Sequence, residues 1–326
     1  NVVVGEGTEI GGNDEGSQII SDEAIVIING TKNEIRVEGD DVVVVEGTQD
    51  EINVSNVSEL RAAVNTIDAG GVINITENIV GVRDIILINK NITINGANKS
   101  ISGNASRIFR ICSSELNVEM NDLNIVSTAV RIGTNDIRGI SLDADLKNVT
   151  LTLNNCSVDF EDNSASDWSY GVNFTGGTTN TLIINRGEYE GANAINLRGD
   201  EHEISIEEAE LTSIYSYNDM YFGQCIRLDG TGSVVNVKNT IFNGDHAVAI
   251  GGKSENEITV EGNTDNTKYA KVKAGDKLAE TLMISEHGGE VRVGEDLVVE
   301  EAKFDGKKIK KIVSGKELTI VIASLT

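Results

Sequence analysis

The chain has 326 residues, with 52 acidic against 27 basic side chains, a formal charge of −25 at neutral pH, 34 glycines and no proline. That charge excludes nucleic acid as a partner, since phosphate backbones are gripped by basic stripes. It also opposes unaided contact with anionic membranes or polyuronates, unless calcium bridges the carboxylates. No stretch reaches the ~18 apolar residues of a membrane span. The chain begins at Asn1 with no leader-like segment, so a mature or trimmed form is expected.

Residues 1–55 are acidic and strand-like at 2–4, 24–28, 35–37 and 42–45, with Gly, Asn and Asp between. They suit a small β-module, the flank of a larger sheet, or a strand that adds to a neighbouring subunit's edge. A helix is expected over 58–68. Ser58 is its N-cap, Glu59 favours the positive end, and Leu60, Ala63, Val64 and Ile67 share one face. Gly70 and Gly71 end it. Short strands follow at 72–75, 85–88 and 92–94.

From there to residue 263 the chain repeats itself. One phrase recurs as Phe-Arg-Ile (109–111), Ile-Ser-Leu (140–142), Val-Asn-Phe (172–174), Ile-Asn-Leu (195–197), Ile-Arg-Leu (226–228) and Val-Ala-Ile (248–250). The steps are 31, 32, 23, 31 and 22 residues, a basic period of 22–23 with about nine residues inserted three times. Positions +9, +11 and +16 from the phrase are apolar again. They read Val118, Met120 and Ile125; Val149, Leu151 and Cys156; Ile204, Ile206 and Leu211; Val235, Val237 and Phe242. Apolar residues two apart mean strand, and a 22-residue period of short strands with polar corners describes one coil of a parallel β-helix. Each coil buries its apolar columns only against its neighbours. The lack of proline fits, because a missing N–H would break the ladder between coils.

The three cysteines cannot make a full disulfide set. Cys156 falls in an apolar column and behaves as a small hydrophobe, while Cys112 and Cys225 occupy other columns. Sequons at Asn53, Asn74 and Asn91 follow from the abundance of Asn and Thr and carry no glycosylation claim.

The sequences Ser-Glu-Leu-Arg-Ala-Ala-Val (58–64), Gly-Gly-Val-Ile-Asn-Ile (70–75), Lys-Asn-Ile-Thr-Ile-Asn-Gly (90–96) and Ser-Ile-Ser-Gly-Asn (100–104) resemble the opening of a pectate-lyase-like domain. The likeness is nearest to the adhesive version found in bacterial cell-surface proteins, and it covers roughly 56–263. It implies an all-β, right-handed, single-stranded parallel β-helix (a solenoid) with an N-terminal capping helix and short terminal β additions. It also implies a secreted or cell-surface location. Function does not follow from it, since one fold serves lyases, hydrolases and adhesins.

With +0 and +2 of the phrase pointing inward, −1, +1 and +3 are expected outside. Position −1 is small: Gly139, Gly171, Ala194, Cys225 and Ala247. Position +1 reads Arg110, Ser141, Asn173, Asn196 and Arg227, and +3 reads Cys112, Asp143, Thr175, Arg198 and Asp229. The insertions at 128–138, 160–170 and 213–224 precede the phrase, and the last two hold Trp168, Tyr170, Tyr215, Tyr217, Tyr221 and Phe222. A polar strip walled by aromatic loops suits sugar rings, which stack on aromatics and offer hydroxyls to Asn, Asp and Arg. The same rings could instead fold back as loop cores, and Arg198 with Asp229 could be a plain surface ion pair.

A calcium-dependent polysaccharide lyase would use Asp143 and Asp229 as ligands and Arg198 or Arg227 as base. Yet the proline-containing motifs of the best-known pectate lyases have no counterpart here, and the signatures of polygalacturonase-like hydrolases are missing. Gly-Asp-His (244–246) is too short to count, and His202 and His287 show no evident partners.

A self-assembling surface-layer or filament subunit is the third reading. Residues 265–326 carry 11 acidic and 11 basic side chains, against 41 and 16 before them, which marks a boundary at 264/265. Strands are expected at 268–273, 290–293, 297–301 and 318–322, and Lys307 to Lys311 form a basic spot suited to head-to-tail contact. The expectation is therefore a segment 1–55, a β-helix over 56–264 and a C-terminal β-module over 265–326. The leading expectation is that a polysaccharide or cell-surface glycan is bound on the 139–229 strip rather than transformed, with no cofactor required and calcium as the option its acids allow.

Overall fold

Apolar side chains two apart lay one face of each strand against the interior. The structure, a computed structural model, describes residues 48, 50–132, 136–161, 168–215, 223–244, 248–252 and 256–267, and by backbone alone strands within 1–47 and 289–322. The chain alternates between two parallel sheets. A seven-stranded sheet takes Ile86–Ile88, Arg107–Ile111, Ile137–Leu142, Ser169–Phe174, Asn193–Arg198, Gln224–Asp229 and Val248–Gly252 in chain order. The larger sheet lays Gly71–Ile75, Ile92–Gly103, Asn117–Ser127, Thr150–Phe160, Thr181–Gly191, Glu203–Ser213, Val234–Lys238 and Glu257–Glu261 side by side.

Both sheets feed one core. Ile86, Phe109, Ile140, Val172, Ile195, Ile226 and Ile250 stack in one column, and Val118, Leu151, Leu182, Ile204, Val235 and Ile258 in another. None is more than 2% exposed.

Two registers differ from the sequence pattern. Ile226 pairs with Ile250, so the last step runs from 226 to 250, 24 residues rather than 22. Val118 pairs with Leu151, so the repeat at Ile140 buries Leu151, Leu153 and Val158 in the three apolar columns; Cys156 instead stands beside Gly187. A two-residue slip leaves a period-two pattern unchanged, so the pattern cannot see it.

Position −1 differs as well. Ile108, Ala194, Cys225 and Ala249 belong to the core, and the ladder skips this position in every strand. The strand bends here and turns two successive side chains inward. A Cβ on Gly139 would lie 2.3 Å from Val158 Cγ1, so the small residues at −1 answer a tight interior, not a bare groove.

The larger sheet carries a ladder of amides on its outer side. Asn53, Asn74, Asn95, Asn121, Asn154 and Asn185 are partners in successive strands. Each Nδ2 donates to the Oδ1 of the preceding rung, at 3.1, 3.0, 3.1, 2.7 and 2.8 Å. Directly after the rungs the chain turns through left-handed residues, Asp122, Asn155 and Arg186, and Glu208 continues the series. Asp and Asn are among the few side-chain-bearing residues that tolerate this conformation.

The helix runs Val57–Thr66, and its N-cap is Asn56 rather than Ser58. Asn56 Oδ1 accepts from Glu59 N at 3.0 Å, while Glu59 Oε2 accepts from Ser55 N at 2.7 Å. This reciprocal arrangement resembles a capping box, shifted two residues upstream of the expected start. Leu60, Ala63, Val64 and Ile67 enter the core as the helix packs on the first strands.

Both flanks join the larger sheet by backbone. Glu51–Val54 runs parallel to Gly71–Ile75 and antiparallel to Val43–Gly47. Gly289–Val293 runs parallel to Glu257–Glu261 and antiparallel to Glu317–Ile322. The strands expected at 268–273 and 297–301 lie outside the described residues. No helix among the described residues is long and apolar enough to cross a membrane.

Removing a central rung leaves its neighbours' amide atoms without partners. Asn154→Ala is expected to cost about 0.5–1.5 kcal/mol, read as a lower midpoint in urea unfolding at unchanged slope. An unchanged midpoint would show the ladder to be structurally idle.

Candidate functional site

The outer face of the seven-stranded sheet is polar. Its central row, at +1, runs Leu87, Arg110, Ser141, Asn173, Asn196 and Arg227. A second row, at −2, runs Arg107, Arg138, Tyr170, Asn193 and Gln224. Successive rungs of a row lie about 4.8 Å apart. The +3 positions, with Asp143, Thr175, Arg198 and Asp229, border it.

The structure links these rows closely. Asn173 and Asn196 are each only 1% exposed although they face away from the core. Asn196 Nδ2 donates to Asn173 Oδ1, and Asn173 Nδ2 donates to Thr175 Oγ1 at 3.0 Å. Thr175 Oγ1 also accepts from Arg138 Nη1 at 3.2 Å. Asp136 Oδ2 accepts from Arg138 Nη2 at 2.7 Å. Asp229 Oδ2 takes Arg227 at 3.0 Å and the more exposed Arg198 at 3.4 Å.

The aromatic residues divide. Tyr170 and Tyr215 are buried, and pack with Ala192 into a small cluster separate from the main core. Trp168 leans on that cluster half-buried, with the Arg131 guanidinium 4.8 Å from its ring centre. So Tyr170 and Tyr215 fold back as a loop core instead of standing clear. Burial pushes the Tyr170 phenol up to about 12, with Asp136 adding to the rise and Arg227, Arg198 and Arg138 opposing it; it stays a neutral donor. Tyr217 and Tyr221 lie outside the described residues, as do Phe222, His246 and His287.

Asp143 and Asp229 do not come together. They sit three repeats apart in the +3 series, about 14 Å at the ladder spacing. Asp143 is gripped by both arms of Arg110, at 2.6 and 2.7 Å, as Asp229 is by its two arginines. Among the described residues no group of three His, Cys, Asp or Glu is placed to hold a metal ion. None of the three cysteines forms a disulfide. Burial raises the Cys156 thiol to about 12 and raises Cys112 as well, so neither is an activated thiolate.

Arg107, Arg131, Arg138 and Asp136 were not among the residues the sequence pattern singled out. One signal for them was present, namely an arginine two residues before the phrase in consecutive repeats, Arg107 before Phe109 and Arg138 before Ile140. With Arg110, Arg198 and Arg227, six of the chain's 11 arginines belong to this face.

His202 has partners after all, at a corner away from the strip. Its Nδ1 accepts from Asn180 N at 3.2 Å, its Nε2 lies 3.0 Å from Arg198 O, and its own N–H donates to Ser233 Oγ at 3.1 Å. Phe174 meets it edge-on at 5.4 Å between ring centres. This is a buried structural histidine in its neutral, Nε2-protonated form. Compared with protein-family models, with curated proteins and with solved structures, the chain shows no match in any of the three.

Burial lowers the His202 pKa, with Arg198 O opposing. The unfolded chain therefore binds this proton more readily than the folded one. The stabilisation is present above the unfolded value of about 6.5 and is lost as pH falls through the lower folded value. His202→Asn is expected to flatten the decline in melting temperature between pH 7 and pH 5. Parallel declines in the two proteins would exclude His202 as its source.

Proposed function

We propose that the chain is a right-handed parallel β-helix of a secreted or surface-exposed bacterial protein, and that it binds a glycan along the outer rows of the seven-stranded sheet without transforming it. The alternation of strands between two parallel sheets around one core supports the helical reading. So does the resemblance of residues 56–263 to pectate-lyase-like adhesive domains.

One observation carries the binding reading: guanidinium and amide groups are concentrated on a single face of a strongly acidic chain. Arg107, Arg110, Arg198 and Arg227 line it, beside Asn173, Asn196, Tyr170 and Arg138, which are buried and tie the rows together. Aspartates brace four of these arginines, so the donors are held in place rather than sampled. Sugars are bound by such preplaced donors meeting ring hydroxyls, with an apolar surface alongside. Trp168 and the cluster beneath it supply that surface. Two things weigh against catalysis: the candidate ligands Asp143 and Asp229 lie apart, and each is already engaged by arginine.

The test is a glycan array probed with and without calcium, using the native chain, Arg198→Gln and Trp168→Ala. Binding to a defined set of glycans is expected, little changed by chelation and weakened about tenfold or more in each variant, the size of one charge-assisted hydrogen bond or stacking contact. No binding under either condition would overturn the reading and leave assembly through the strands at both flanks as its successor.

A further inference from the structure

At one end of this face three arginines crowd together. Arg107 and Arg138 are direct ladder partners, and Arg110 lies on the same strand as Arg107. Two of the three have counter-ions. Asp143 holds Arg110 through both carboxylate oxygens, and Asp136 holds Arg138. The Arg107 side chain makes no hydrogen bond or ion pair among the described residues, and its Nε is buried without a partner. Arg138 is only 7% exposed, and its Nε is also buried without a partner.

Among the described residues the cluster is thus one negative charge short: three cations face two aspartates. Burial and the two neighbouring arginines disfavour the charge on Arg107, with Asp143 and Asp136 opposing them. A half-buried guanidinium with no counter-ion among the described residues, beside a second, aspartate-braced guanidinium, has the charge to hold an oxyanion.

We infer that Arg107 and Arg138, with Arg110 beside them, form a subsite for a singly charged oxyanion, the carboxylate or sulfate substituent of the bound glycan. The parent ligand rests on the glycan reading above; the anion subsite rests on the arginines alone. It makes the ligand an acidic sugar in spite of the protein's overall charge. Arg107 supplies the charge and the fork of donors. Arg138, fixed by Asp136 and Thr175, supplies the second wall.

The experiment separates the two readings. Inorganic sulfate and sodium glucuronate are titrated against the native chain, Arg107→Gln and Arg107→Lys, with chloride at matched ionic strength as control. Arginine Nε resonances and melting temperature are the readouts. Saturable shifts of the Arg107 and Arg138 signals are expected, with a rise in melting temperature beyond that in chloride. Arg107→Gln, itself folded and at least as stable without anion, is expected to bind about tenfold more weakly or worse and to lose that rise; Arg107→Lys keeps part of both. The subsite is refuted if neither anion exceeds chloride, or if Arg107→Gln binds like the native chain.

Array spots carrying carboxylated, sulfated and neutral versions of one glycan then name the substituent. Equal retention of all three would refute the subsite and leave the glycan reading standing. Anion binding at Arg107 with no glycan retained would do the reverse.

Discussion

The parallel ladder governs this molecule, because it places every residue on top of its counterpart one repeat away. At a spacing of about 4.8 Å, like is set against like, and the consequences depend on chemistry. Ile on Ile or Val on Leu packs a dry column and is favourable at every rung. Asn on Asn is favourable too, since an amide donates with one atom and accepts with the other. Arg on Arg is unfavourable unless something negative lies between. The same rule therefore yields a continuous core, a continuous amide ladder and, at Arg107 and Arg138, a defect that stands out.

These features divide the chain into layers of increasing specificity. The core columns demand only apolar volume, so Phe109 can follow Ile86 and precede Ile140 in one stack. The corners demand more, as a left-handed residue must follow each rung at Asn121, Asn154 and Asn185. Gly187 shows how tight these turns are, for a Cβ there would stand 1.8 Å from Cys156 O. The outer rows of the seven-stranded sheet are bound by neither demand, and they hold the arginines.

Much of this was legible in the sequence, and the failures share a physical origin. Alternating apolar residues announced strands, and the recurring phrase announced repeats stacked in parallel. Alternation carries no information about slips of two, so the pairings of Ile250 and Leu151 were misplaced. Nor does it foresee a bend, which is why Cys225 and Ala194 were expected outside and are found in the core. The amide ladder passed unnoticed because its rungs are separated by 21 to 33 residues of unequal spacing; two of them, Asn53 and Asn74, even sit in glycosylation-like sequons. Of the aromatic residues, Trp168, Tyr170 and Tyr215 gather at the −2 row of the strip. Whether a ring folds back or stands clear is decided by tertiary packing, and for Tyr170 and Tyr215 the neighbour that decides is Ala192 in another repeat.

The uneven steps of 23 to 32 residues all close on the same ladder, and this separates what can change from what cannot. On the edge before the phrase, Gly191 leads almost at once into Asn193–Arg198, while ten residues part Ser213 from Gln224. Lengthening a connection of this kind costs only slowly with its length, so new contact surfaces can be built there without touching the frame. At the asparagine corner a one-residue insertion would shift every following side chain to the opposite face, whereas the two extra residues between Asn95 and Lys99 leave Ile101 paired with Ile125. The fold thus behaves as a fixed spine whose long insertions gather on one margin, and selection acting on what the protein recognises would be written chiefly into that margin.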